Sequence, residues 1–145
     1  MKKSLIVAAV IIAALASVVA AQKASTGKHA KEVIYETPNN AKFDSPTPGV
    51  SMATLWGDPA KSVHGTFTKF DPGYDAGMHS HSNDLWIIGI KGAYVYKDDA
   101  GEKRVGPGEF LRIPGGHKHW SGGDKTEGAL FYEEGAGKFD STPVK

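Results

Sequence analysis

The chain has 145 residues, seventeen basic against sixteen acidic, a formal charge of +1 and no cysteine. No lysine or arginine cluster beyond the first residues is dense enough to form a phosphate-binding stripe, which argues against a nucleic-acid partner. Without cysteine the core must hold by packing alone, and the length supports one domain with a sizeable core.

Lys2-Lys3 precede an apolar run from Leu5 to Ala16, and the small-residue stretch Val18-Val19-Ala20-Ala21 leads to Gln22. Charged, apolar and small residues in that order predict a secretory signal peptide over residues 1–21, cleaved before Gln22. The apolar run is near the lower limit for spanning a bilayer. The expected product is periplasmic or secreted, with no stable membrane anchor after cleavage. Residues 22–50 are polar and carry Pro38, Pro46 and Pro48, which predicts either an extended N-terminal arm with one edge strand, Val33-Ile34-Tyr35, or a disordered linker.

From residue 51 to residue 145 the chain reads as one domain of short β-like runs. They cover Ser51 to Leu55, Gly65 to Phe70, Gly77 to His81, Leu85 to Ile90, Ala93 to Lys97, Glu102 to Val105, Glu109 to Ile113, His119 to Gly122 and Ala129 to Glu133. Turn chemistry separates them at Asp71-Pro72-Gly73, Asp98-Asp99-Ala100-Gly101, Gly106-Pro107-Gly108 and Pro114-Gly115-Gly116. No sustained helical period of apolar residues follows the leader, so the fold class is all-β, a sandwich or barrel.

His79-Ser80-His81 is the strongest chemical signal. Residues two apart in a strand share a face, so an H-x-H pair aims two imidazoles at one point, and only a third ligand needs the fold. His119 is that third ligand. Three neutral imidazoles suit a divalent transition metal, Fe, Zn, Cu, Ni or Mn, and leave coordination positions open for water or substrate.

The glycine and proline frame around these histidines resembles the cupin superfamily. Gly73, His79, His81 and Gly92 match its first motif, and Gly108, Pro114, Gly116 and His119 match its second. Trp56-Gly57-Asp58-Pro59 through His64-Gly65-Thr66 is also similar to a group of single-domain bacterial cupins. The resemblance covers roughly residues 63 to 134 and implies a double-stranded β-helix, the jelly-roll cupin barrel, with the metal inside. Two positions depart from the pattern: the glutamate slot holds Leu85 and the final asparagine slot holds Gly123.

Leu85 therefore leaves the fourth ligand open. Asp84 is adjacent, although alternation turns it away from the face of Leu85 and Ile87. Glu133 or Glu134 in the last strand could supply a carboxylate, although their plainer reading is an exposed strand end. Arg112 alternates with Leu111 and Ile113 and is expected outside. Tyr94, Tyr96, Tyr132, His117 and Leu85 are the candidate pocket residues, while His64 reads as structural and His29 as solvated.

No nucleophile elbow and no phosphate-cradling loop is present, so chemistry belongs to the metal. Three-histidine cupins resemble non-haem iron dioxygenases, which implies an oxidative enzyme for a small organic molecule. The same donors could hold zinc and polarise a carbonyl or water. The other reading is a non-catalytic periplasmic protein that holds or senses a small molecule or a metal. Sheet edges, including one in the arm, also suggest a homodimer.

Overall fold

The computed structural model describes residues 33–144. The leader, the first part of the arm and His29 lie outside the described residues. Among the described residues there are eleven strands and no helix, so none there is long and apolar enough to cross a membrane.

In chain order the strands are β1 Asp44–Thr47, β2 Val50–Gly57, β3 His64–Phe70, β4 Asp75–Ser80, β5 Leu85–Gly92, β6 Tyr94–Asp98, β7 Gly101–Val105, β8 Phe110–Ile113, β9 His119–Gly123, β10 Ala129–Gly135 and β11 Thr142–Pro143. They form two antiparallel sheets, one of six strands in the order β1-β2-β3-β10-β5-β8 and one of five in the order β11-β4-β9-β6-β7. Non-sequential neighbours such as β3-β10 and β4-β9 are the crossovers of a jelly roll.

The nine strands expected from alternation and turn residues all form, with ends displaced by at most two residues. The edge strand of the arm is displaced further. Val33 and Tyr35 are exposed and lie in no strand, and the arm contributes β1 instead, paired with β2 through Asp44↔Met52 and Thr47↔Val50. Pro46 can occupy β1 because the strand lies at the edge of its sheet, where a missing N–H costs no ladder bond. Two-residue β11 is a further addition to the elements expected from sequence.

Leu85, Ile87, Ile113, Ala129 and Phe131 of the six-stranded sheet meet Tyr94, Tyr96 and Val105 of the five-stranded sheet in one apolar cluster. This cluster fills part of the space between the sheets, with Phe70 packed against it and stacked on Tyr94 at 5.7 Å between ring centroids. The interior also holds a set of polar side chains. His64, Thr66, Thr68, His79, His81, His119, Ser121 and Glu133 are all buried. So many buried polar groups need partners, and they mark where a ligand belongs.

Candidate metal centre

Register brings the histidines together. β4 and β9 are neighbours, and His79 lies directly opposite His119. The two rings are 4.4 Å apart between centroids. His81 follows the end of β4 by one residue, still in the alternation that directs His79 inward, and its carbonyl accepts the Gly116 N–H at 2.7 Å. Gly116 has φ +78°, a left-handed conformation that glycine adopts without strain, so the Pro114-Gly115-Gly116 turn fastens one histidine segment to the other. Gly73, at φ +71°, turns the chain into β4 in the same way.

The tautomer of each ring follows from its partner. His79 Nδ1–H donates to the Gly77 carbonyl at 2.9 Å, His81 Nδ1–H to the Asp140 carbonyl at 2.5 Å, and His119 Nδ1–H to the His117 carbonyl at 3.1 Å. A carbonyl only accepts, so each Nδ1 carries the proton and each Nε2 keeps a lone pair. Outer hydrogen bonds of this kind orient metal-binding imidazoles. One ligand atom from each ring falls within 4.8 Å of the others.

Nε2 of His79 and Nε2 of His81 are 3.2 Å apart, two acceptors with no proton between them. Two Zn–N bonds of about 2.0–2.1 Å at a tetrahedral angle place their nitrogens about 3.3 Å apart, so a divalent ion fits where a hydrogen bond does not. His119 Nε2 is buried without a partner among the described residues. Burial holds His119 neutral, pulling its pKa down to about 4, and burial also lowers that of His81 against the opposing pull of the Asp140 carbonyl. Both rings stay unprotonated and available to a cation at neutral pH.

A cavity of ≈ 410 Å³ opens beside the centre. Its walls include His79, His81, Tyr94, Ser121, Thr68 and Glu133, and apolar side chains of Val50, Met52, Phe70 and Phe139.

Of the pocket residues expected from sequence, Tyr94 lines this cavity, and the other four are placed elsewhere. Tyr96 stacks flat against His119, with centroids 5.3 Å apart and planes 18° apart, while its hydroxyl donates to Asp98 at 2.7 Å. It braces a histidine from behind. The His117 side chain is 42% exposed and reaches the same Asp98 at 3.2 Å. Only its backbone carbonyl serves the centre. Leu85 belongs to the apolar cluster. Tyr132 lies on the outer face of β10, where it accepts from Trp56 Nε1 at 3.2 Å and donates to Glu134 at 3.1 Å. Alternation puts Tyr132 and Glu134 on one face of the strand and Phe131 and Glu133 on the other.

Asp84 binds Arg112 at 2.6 Å and the Gly115 N–H at 2.8 Å, away from the histidines. Glu133 departs from its plain sequence reading as an exposed strand end. It is 5% exposed, its Oε1 has no partner among the described residues, and burial pushes its pKa up to about 7. Its carboxyl lies outside the cluster of metal-ligand atoms. His64 is fully buried, donates from Nδ1 to the Ser62 carbonyl at 3.0 Å and packs edge-on to Phe139.

A two-sheet jelly roll with three converging imidazoles defines the class of protein. The chain contains a cupin domain: residues 66–133 match the family model for one. No match was found among curated proteins. Among solved structures it is similar to the polyketide cyclase RemF from Streptomyces resistomycificus, with 20% identity over 79% of this chain and 87% of that one and a TM-score of 0.65. It is similar to KdgF from Halomonas sp., with 17% identity over 77% and 95% of the two chains and a TM-score of 0.58. An RmlC-like cupin from Shewanella frigidimarina shares 15% identity over 72% of this chain and 92% of its own, with a TM-score of 0.58. At these identities the likeness is one of fold.

Proposed function

We propose that the protein is an exported metal-dependent enzyme acting on a small organic molecule that carries a carbonyl or phenolic oxygen. The observation that carries this reading is the convergence of three Nε2 lone pairs beside a largely apolar cavity. His79, His81 and His119 would hold a divalent transition metal, which supplies Lewis acidity or, as iron or copper, redox chemistry. The remaining side chains bind and orient. Val50, Met52, Phe70 and Phe139 exclude water from the substrate, and the Tyr94 and Ser121 hydroxyls offer directional hydrogen bonds. A polyketide cyclase among proteins of this fold supports an enzyme that handles organic substrates.

Dioxygenation with iron is the reaction that the sequence suggests. A redox-neutral reaction of a carbonyl compound uses the same donors, and the buried Glu133 carboxyl favours it. Metal analysis of protein isolated from the exported fraction, with oxygen uptake measured over small carbonyl and phenolic compounds, separates these readings. Iron or copper with substrate-dependent uptake assigns a dioxygenase, and turnover without uptake assigns redox-neutral chemistry. A tightly held molecule without turnover would replace the enzyme with a binding protein. Intact mass of the same sample tests cleavage before Gln22.

A further inference from the structure

His79 of β4 and His81 just beyond it line one wall of the cavity, on the side of the five-stranded sheet. The opposite wall belongs to the six-stranded sheet, where β3 and β10 run side by side with Glu133 opposite Thr66. Across its other edge β10 meets β5, with Glu133 opposite Ile87. The Thr66 and Thr68 hydroxyls bond to each other at 3.1 Å, and Glu133 Oε1 is left without a partner among the described residues. Tyr94 of β6 is the titratable group that feels Glu133, and burial of its phenol is the main reason its pKa is raised and it stays neutral. Among the described residues, Glu133 is the one acid lining the cavity. An unpartnered buried carboxyl is costly to retain, and the cost falls only when a ligand group meets it.

We infer that Glu133 is the proton-transfer residue of the cavity, taking a proton from the carbon beside the carbonyl of a bound ketone or aldehyde and returning it. This rests on the proposed metal-dependent reading and names its substrate class, an enolisable carbonyl compound. In the forward step the C–H bond breaks and an O–H bond forms on Glu133. The C–H electron pair becomes the carbon–carbon π bond of the enolate, and the carbonyl π pair moves onto oxygen. Reversal at the same or the neighbouring carbon gives exchange or isomerisation, and no oxidant or reductant is consumed. A substrate between the two walls turns its oxygen to the histidine side and its acidic carbon to Glu133. The substitution at Leu85 suits this arrangement. A glutamate on the metal would stay ionised, whereas a carboxyl on the opposite wall is free to gain and lose a proton. Burial tunes it to about 7, where a general base works best at neutral pH.

The test uses zinc-loaded protein and hydroxyacetone in deuterated buffer, with exchange of the α-hydrogens followed by NMR. Wild type should exchange them, with a rate that rises with pH through about 7. Glu133→Gln should lose about 10²–10⁴-fold with unchanged zinc content, and Glu133→Asp should recover part of the rate. Infrared spectroscopy of the metal-free protein gives a readout independent of turnover. A protonated-carboxyl band should disappear as pH rises through about 7 in wild type, and it should be absent from Glu133→Gln. If Glu133→Gln does not fold, the band in wild type and the rate of Glu133→Asp decide. Equal exchange by wild type and variant, no exchange by zinc-loaded wild type, or no titrating band overturns the inference. Failure to bind zinc would instead sink the metal-dependent reading itself.

Discussion

Replacing Glu133 with glutamine in the metal-free protein should change stability in a pH-dependent way whose size follows from its burial. The carboxyl is 5% exposed, and its pKa moves from 4.5 to about 7 because burial penalises the charged form. The folded state therefore binds more protons than the unfolded state between these values, so stability falls as pH rises through this window. The contribution of the proton is complete below 4.5 and lost above about 7. At about 1.4 kcal/mol per unit, the shift corresponds to about 3 kcal/mol. A carboxamide cannot ionise, so Glu133→Gln should be nearly as stable as wild type at pH ~5 and more stable by about 3 kcal/mol at pH ~9. For a domain of this size that is a difference in Tm on the order of 10 °C. Thermal or urea unfolding of chelator-treated protein across this range measures it. A stability difference independent of pH would show that Glu133 is solvated or paired, and the reasoning about the carboxyl wall would fail with it.

Alanine at His79, His81 or His119 should each sharply reduce metal content, whereas His117→Ala should retain it because His117 serves the centre through its backbone carbonyl; metal analysis after dialysis checks both. Full occupancy in all three ligand variants would refute the assignment. Leu85→Glu places a carboxylate among the apolar side chains beside Ile113 and Phe131, so the metal-free protein should lose about 2–5 kcal/mol. Adding cobalt should recover part of that loss with a changed absorption spectrum if the new carboxylate reaches the ion, and an unchanged spectrum would place position 85 out of reach. Gly135→Ala should also destabilise, because a Cβ there would lie 2.3 Å from Cε1 of the buried His64 ring, and calorimetry reads the drop in Tm.

The centre is legible in the sequence because its information is local. H-x-H spacing and the glycines of two turns dictate where three imidazoles point, and no long-range packing must be known. The pocket is harder to read. In Ala129 to Gly135, both faces carry apolar residues, so alternation alone does not say which of Glu133 and Glu134 is buried. Phe131 on the same face as Glu133 is the available signal, and assigning Tyr132 to the pocket takes the opposite face. Parity gives the right face for Tyr96, yet its hydroxyl leads out to Asp98, a contact set by the end of the β6-β7 hairpin. β1 and β11 escape notice because short proline-bearing edge strands carry no periodic pattern.

The bond from His81 to the Asp140 carbonyl ties an ion-binding ring to the far end of the chain. Several contacts lay that end against the same region: Ser82 N–H to Asp140 at 2.7 Å, Phe139 against the His81 ring at 5.3 Å, and β11 alongside His79 and Ser80. Docking of this segment and loading of the ion are therefore thermodynamically linked. Whatever free energy the ion gains from a correctly turned His81, the terminal strand gains in return as resistance to peeling. A protease or a fused partner that pulls residues 136–144 away would loosen the ion, and an ion held in place would shield those residues from both.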